Sequence, residues 1–239
     1  MNLKNKKILI TGAAKRIGKS IAMVCAQKGA HILLHYYASE KEAKNTQQAI
    51  LRLGSPCSLY QANLCKSEEV KDLIQQILKT EKRVDVLINN ASLFYPKTLE
   101  ETQKDDLDVF LNIHLKAPFL LAQTFGPLMK KRGEGHILNL IDAGISNPQP
   151  RYLAYASSKA ALLAFSQGLA RSLAPEVQVN CISPGQIFAP ENYSKKMKDQ
   201  IIQKTLREKW AGSEEISRMV LFLLESDFIT GQNFFVDGA

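Results

Sequence analysis

Short apolar runs and amphipathic stretches alternate along the chain from its first residues. Lys7-Ile-Leu-Ile-Thr11 is an apolar run that ends at a glycine turn, and Ile17 to Lys28 follows with helical periodicity. His31-Ile-Leu-Leu-His35 predicts a second buried strand, and Ser39 to Leu53 a second helix with Ser39 as its N-cap. Cys57 to Ala62 reads as a third strand. Ser67 to Lys79 reads as a helix opened by a Ser-Glu-Glu capping signal. Val84 to Asn89 is the fourth strand. A long helical stretch then runs from about Asp105 to Lys131, apolar around Phe110 to Phe125. His136 to Ile141, the helix Tyr152 to Ala174, the strand Val177 to Ile182, the helix Ser213 to Leu224 and a short strand at Asn233 to Val236 complete the pattern. Strands alternating with helices imply right-handed crossovers and a mostly parallel sheet. No repeat or low-complexity linker interrupts the chain. The expectation is a doubly wound α/β fold in one domain, residues 1–239.

Composition adds exclusions. Apolar residues make up 45% of the 239 and charged residues 23%, ordinary for a globular protein, so disorder is expected only in loops. The formal charge is +8, but the lysines are scattered in local groups such as Lys4 to Lys7, Lys130 to Arg132 and Lys195 to Lys198. That reads as solvated faces rather than a nucleic-acid footprint, and the excess suits steering of an anionic cofactor or substrate. Cys25, Cys57, Cys65 and Cys181 match no zinc or redox spacing and read as small core hydrophobes. The four histidines give no metal signature. No apolar stretch is long enough for a membrane span, and no secretory signal is visible at the N-terminus, so the cytoplasm is the expected compartment.

The first candidate site is Thr11-Gly-Ala-Ala-Lys-Arg-Ile-Gly18, directly after the first strand. Gly12 permits a tight turn, Gly18 permits close helix–strand approach, and the helix N-terminus then faces a pyrophosphate with free amide donors. The glycine pair gains its meaning from this context. Arg16, midway, places a guanidinium fork beside the phosphates, or is simply a solvated helix-start residue. The second strand ends in His35-Tyr36-Tyr37-Ala38-Ser39 without the acidic residue that would meet a ribose 2′-hydroxyl. With Lys15, Arg16, His35 and Ser39 nearby, this favours NADP(H).

The second candidate site is Tyr155-Ala-Ser-Ser-Lys159, whose i, i+4 spacing puts phenol and ammonium on one helix face. A nearby cation is expected to lower the tyrosine pKa and make it a usable proton donor. A pair at this spacing is commonly just a surface pair; the first-strand loop and the order of elements give it weight.

These residues resemble the short-chain dehydrogenase/reductase family, over essentially the whole chain and with a Rossmann-type fold. Asn89-Asn-Ala91, Asn112, Ser183-Pro-Gly185, Ile229-Thr-Gly-Gln232 and Val236-Asp-Gly238 support the likeness. The resemblance implies that Tyr155 is the general acid/base, that Lys159 also holds the nicotinamide ribose, and that Asn112 supports a proton-relay water. Otherwise Asn112 is a polar spot in an apolar helix. It also implies cofactor contacts from Gly12, Lys15, Arg16, Ile17 and Gly18, from His35, Tyr36 and Ser39, from Asn63 and Leu64, from Asn90, Ala91 and Ser92, and from Pro184 and Gly185, besides Tyr155 and Lys159.

Most family members carry a serine about thirteen residues before the tyrosine, where it donates to a carbonyl oxygen. Here Asp142 stands in Ile137-Leu-Asn-Leu-Ile-Asp142-Ala, and an ionised carboxylate cannot donate. Pteridine reductases carry an aspartate at this position, and the chain resembles that branch. The loop Thr11 to Gly18, His35-Tyr36 and Asn89-Asn-Ala-Ser-Leu-Phe-Tyr-Pro96 agree with that branch. It implies a pterin substrate met by Arg16, Ser92, Phe94, Asp142 and Tyr155, with Phe94 stacked on the flat ring. Plain loop packing is the other reading of Phe94.

Two positions depart from the branch. Ala38 stands where a basic residue near the 2′-phosphate is common, and Asn63 replaces the usual aspartate by the adenine. The variable segment Gln186 to Arg207 carries no matched residue. Its lysines read as a solvated helix or as a contact for an acidic substrate tail. A generic carbonyl or 3-oxoacyl-thioester reductase is the alternative, with Asp142 against it. A non-catalytic NADP-binding protein is a third reading, opposed by intact Tyr155, Lys159 and Asn112. The apolar helices at Phe110 to Phe125 and Tyr152 to Ala174 suggest the symmetric homotetramer that the resemblance also implies.

Overall fold

The computed structural model describes residues 1–189 and 193–239. Seven parallel strands form one sheet in the order β3-β2-β1-β4-β5-β6-β7. These are β1 (Lys7–Ile10), β2 (His31–Tyr36), β3 (Cys57–Gln61), β4 (Val86–Asn89), β5 (Gly135–Leu140), β6 (Val177–Pro184) and β7 (Asn233–Val236). Side chains alternate across the sheet. Ile8 and Ile10 join one core layer with Ile32, Leu34, Ile88 and Leu138, while Leu9 joins the other with Leu33, Leu87 and Ile137. The first layer packs under α1 (Arg16–Gln27), α2 (Glu40–Arg52) and α8 (Ser213–Glu225). The second packs under α3 (Ser67–Glu81), α5 (Ala117–Arg132) and α6 (Leu153–Leu173). Ile8, Leu9 and Ile10 are fully buried, and each such side chain contributes about 1.5–3 kcal/mol. Burial on both faces explains why these strands read as continuous apolar runs.

The strand order reverses between β1 and β4, and this switch point opens a crevice at the carboxyl ends of the strands. The turn after β1 and the chain leaving β4 meet there.

Several expectations change in detail. Ser39 does stand at the N-cap of α2, but its side chain makes no capping bond. The cap of α3 is Lys66, with Ser67 already inside the helix; Glu69 instead accepts from the Asn63 N–H at 2.7 Å. The long helix is divided into α4 (Lys104–Leu111), a π turn over Asn112–Lys116, and α5. Ala117 N–H reaches back to the Asn112 carbonyl in the wide turn. Pro118, next in the chain, has no N–H with which to continue an ordinary ladder. The variable segment includes a short helix, α7 (Lys195–Ile202), with none of its residues buried. Residues 190–192 of that segment lie outside the described part.

Candidate active site

The phosphate turn is held from behind. Asn90 Nδ2 donates to the Thr11 and Gly12 carbonyls at 2.9 and 3.1 Å, and Thr11 Oγ1 accepts from the Asn90 and Ala91 N–H groups at 2.9 and 3.0 Å. Thr46 Oγ1 donates to the Ala14 carbonyl at 2.9 Å. Gly18 has no room for a side chain: a Cβ would sit 2.3 Å from the Gly12 carbonyl oxygen. Gly12 adopts φ +65°, and Arg16 adopts φ +54°, a region that costs a non-glycine residue roughly 1–2 kcal/mol. The N-terminus of α1 receives no side-chain cap and has no acidic residue in its first turn. Its orphan amide donors and the exposed Lys15 and Arg16 therefore fit an anionic phosphate. The Arg16 guanidinium lies over the Phe188 ring, 4.6 Å from its centre, and so links the turn to the variable segment.

Some residues expected to touch a cofactor do other work. His35 is buried; its Nδ1 accepts from Gly12 N–H at 3.1 Å and its Nε2 pairs with the Ala62 carbonyl at 3.0 Å. Burial pushes its pKa down to about 4. Neutral His35 thus braces the turn from inside and adds no positive charge for a 2′-phosphate. Tyr36 and Leu64 are buried in the two core layers, and Ile17 packs against the first of them. Asn63 turns its Oδ1 to Cys65 N–H at 3.0 Å, fixing the entry to α3. Gly185, just past Pro184, is demanded by the C-terminal segment: a Cβ there would meet Asp237 Cα at 2.5 Å. Ser39 is half-buried at the entry to α2.

At the carboxyl end of β5 the reacting corner assembles. Tyr155 donates from its phenol to Asp142 Oδ2 at 2.8 Å, while Asp142 Oδ1 accepts from Gly144 N–H at 2.7 Å. Both carboxylate oxygens act as acceptors, as the ionised form requires. Lys159 is fully buried and its Nζ donates to the Leu140 carbonyl at 2.7 Å. Burial lowers the Lys159 pKa to about 8 against the opposing pull of Asp142.

The expectation for Tyr155 is reversed. Burial, and then the adjacent Asp142 charge, raise its pKa well above the ordinary phenol value. Lys159 stands 6.0 Å from the ring centre and is tied to the Leu140 carbonyl, so the carboxylate dominates. The phenol is held as a neutral donor.

Phe94 is 61% exposed at the mouth of the corner. Its ring stacks on Tyr152, with centroids 4.6 Å apart and planes within 9°, and meets Tyr155 edge-on at 4.9 Å. A flat wall of aromatic rings thus borders the phenol.

His114, two positions after Asn112, is brought to the tyrosine. Two helical positions apart, they face opposite sides. The His114 ring is buried, edge-on to Tyr155 at 5.4 Å and stacked on Phe110 at 5.9 Å. Its Nε2 pairs with Ser92 Oγ at 2.9 Å and its Nδ1 with Ser158 Oγ at 2.8 Å. The signal was present in the sequence. Phe110, His114, Pro118, Leu121 and Phe125 recur at helical spacing, so His114 is a polar member of a buried stripe and Asn112 lies off it.

The family model described as enoyl-(acyl carrier protein) reductase matches residues 12–238. The chain belongs to the short-chain dehydrogenase/reductase family. A 3-oxoacyl-[acyl-carrier-protein] reductase FabG of Staphylococcus epidermidis is 30% identical over 239 residues, covering 98% of each chain. A dihydromonapterin reductase of Shigella boydii is 30% identical, covering 97% of this chain and 95% of the other. The crystal structure of FolM alternative dihydrofolate reductase 1 from Brucella suis, in complex with NADP, superposes with a TM-score of 0.91 at 29% identity, covering 99% and 95% of the two chains. The family membership makes this chain an NAD(P)-dependent oxidoreductase. Among the described residues no helix is long and apolar enough to cross a membrane.

Proposed function

We propose that this protein is an NADPH-dependent reductase of a pterin ring, carrying dihydropterin to tetrahydropterin, with folates as further candidates. The observation that carries the reading is the Asp142 carboxylate beside the Tyr155 phenol. A carbonyl substrate needs donors at its oxygen. A pterin edge offers N–H donors as well as ring nitrogens, and a carboxylate next to a phenol answers both. The relatives named for dihydromonapterin and dihydrofolate reduction support this choice. The 3-oxoacyl thioester reductase among them supports the alternative of a carbonyl substrate.

NADP(H) is the cofactor of this reading, and structural neighbours were crystallised with NADP or NADPH. The uncapped start of α1 and Arg16 would hold the pyrophosphate, with Lys15 close by. Lys159 would hold the nicotinamide ribose. NADPH supplies the hydride for a C=N bond of the ring. Tyr155 gives the proton to the neighbouring ring nitrogen as that atom gains charge. Because its pKa is raised, the phenol keeps its proton until then. Asp142 orients the phenol and accepts from the substrate's N–H groups. Phe94 and Tyr152 form the wall on which a flat ring stacks. We also propose that the protein assembles as a homotetramer and works in the cytoplasm; light scattering that finds a monomer would remove the first of these.

The test is NADPH oxidation followed by absorbance, with dihydrobiopterin and an acetoacetyl thioester in parallel. Turnover of the pterin alone supports the reading. Turnover of the thioester alone replaces it with the carbonyl reductase.

A further inference from the structure

We propose that His114 is a positioning residue for the reaction, which fixes the Ser92 hydroxyl at the reacting corner and braces the Tyr155 backbone from one buried ring. It rests on the reading of Tyr155 as the proton donor.

The hydrogen-bond inventory sets the tautomer. Leu93 N–H is a donor only, and it points at His114 Nε2 at 3.3 Å. Nε2 is therefore an acceptor, and the ring proton sits on Nδ1. From there it donates to Ser158 Oγ at 2.8 Å, and Ser158 Oγ donates in turn to the Tyr155 carbonyl at 2.6 Å. With Nε2 an acceptor, the Ser92 hydroxyl is the donor in the 2.9 Å contact between them. Burial, and then the Lys159 charge, push the His114 pKa down to about 2, so the ring stays in this neutral form.

The consequence lies at Ser92. With its hydrogen directed to the buried imidazole, the exposed hydroxyl turns its lone pairs outward. It then accepts from a substrate N–H beside the Asp142 carboxylate. His114 stands within the π turn and in the buried stripe between Phe110 and Pro118, where the ring reaches Ser92 on one side and Ser158 on the other.

The experiment is a double-mutant cycle of His114→Phe and Ser92→Ala, with His114→Gln as a second variant. Whichever of the pterin and the thioester the wild type reduces serves as substrate. Phenylalanine keeps the stacked ring and deletes both hydrogen bonds; glutamine returns an amide oxygen near the Nε2 position. The expected result is a fall in kcat of about tenfold for His114→Phe, a similar fall for Ser92→Ala, and little further loss in the double variant, as residues in one network couple. NADPH affinity stays within about twofold for His114→Phe, and His114→Gln recovers part of the loss. Additive losses, an unchanged kcat in His114→Phe, or a loss that only tracks melting temperature would overturn the proposal. A wild type that reduces only the thioester defeats the pterin reading, and the cycle run on the thioester still decides the role of His114. A fully active Tyr155→Phe control defeats the premise instead.

Discussion

The turn from Gly12 to Gly18 offers backbone amides to a ligand, and the side chains behind it, Asn90, Thr11, Thr46 and His35, are partnered with protein atoms. The corner at the end of β5 offers side-chain atoms, and these are partnered with one another: Tyr155 with Asp142, Ser92 with His114. Both lie at the carboxyl ends of parallel strands. The difference teaches where specificity resides. Amides at a helix start recognise any phosphate, so in the proposed function the turn sets cofactor class and demands only small residues and a fixed backbone. In that reading the corner sets which substrate reacts, because swapping a donor for an acceptor changes the partner it can take.

Substitutions in the two regions should therefore fail differently. The largest effect is expected from Tyr155→Phe, which should lower kcat by about 10²–10⁴-fold while leaving the NADPH dissociation constant unchanged. Fluorescence titration alongside steady-state rates separates the two; weakened cofactor binding would mean that the regions are not independent. Gly18→Ala is the counterpart at the turn. Its Cβ would press on the Gly12 carbonyl and on Ala13 Cα, 2.8 Å away. A loss of about 1–3 kcal/mol in stability is expected, with weaker NADPH binding, measured by denaturant melts and titration.

The pH dependence belongs to the corner. Lys159 has a pKa of about 8, below its ordinary value. It is charged below that pH and loses its charge as pH rises through it. We expect kcat/KM to fall about tenfold per unit on the alkaline side, and Lys159→Met to abolish that limb. The stability sign is opposite. Because the folded value is depressed, holding the buried charge costs the fold below about pH 8. That cost is lifted between there and the unfolded value of 10.5. A pH-rate profile that stays flat to about pH 10 would exclude Lys159 as the titrating group.

The smallest effect sharpens the contrast at the turn. Arg16→Gly removes a non-glycine residue from a positive φ and deletes the cation over Phe188. Melting temperature should hold or rise, while the KM for NADPH rises by about three- to tenfold. A parallel drop in both would show that Arg16 is there for structure.

Legibility followed the same division. The strand and helix order, the parallel sheet and the tight turn from Gly12 to Gly18 were readable, because burial on both faces and glycine spacing leave plain marks in Lys7 to Gly18. Tyr155, Lys159 and Asp142 were readable as residue types. What the sequence hid was the environment. Burial and a neighbouring carboxylate push the Tyr155 pKa up, where an i, i+4 lysine alone predicts down. The place of His114 beside Tyr155, by contrast, was legible in the buried stripe from Phe110 to Phe125. His35 looked like a 2′-phosphate contact, yet folding buries it behind Gly12. Each miss concerns a polar group whose partner is distant in sequence.

The central claim is that an acceptor at position 142 sets the substrate. The direct measurement is the ratio of kcat/KM for dihydrobiopterin to that for an acetoacetyl thioester, in the wild type and in Asp142→Ser. A serine supplies the donor that a carbonyl needs, so the ratio should fall by about a hundredfold or more, with the pterin value dropping and the thioester value rising. An unchanged ratio, with both substrates affected alike, would contradict the account and leave Asp142 as a support for the tyrosine alone.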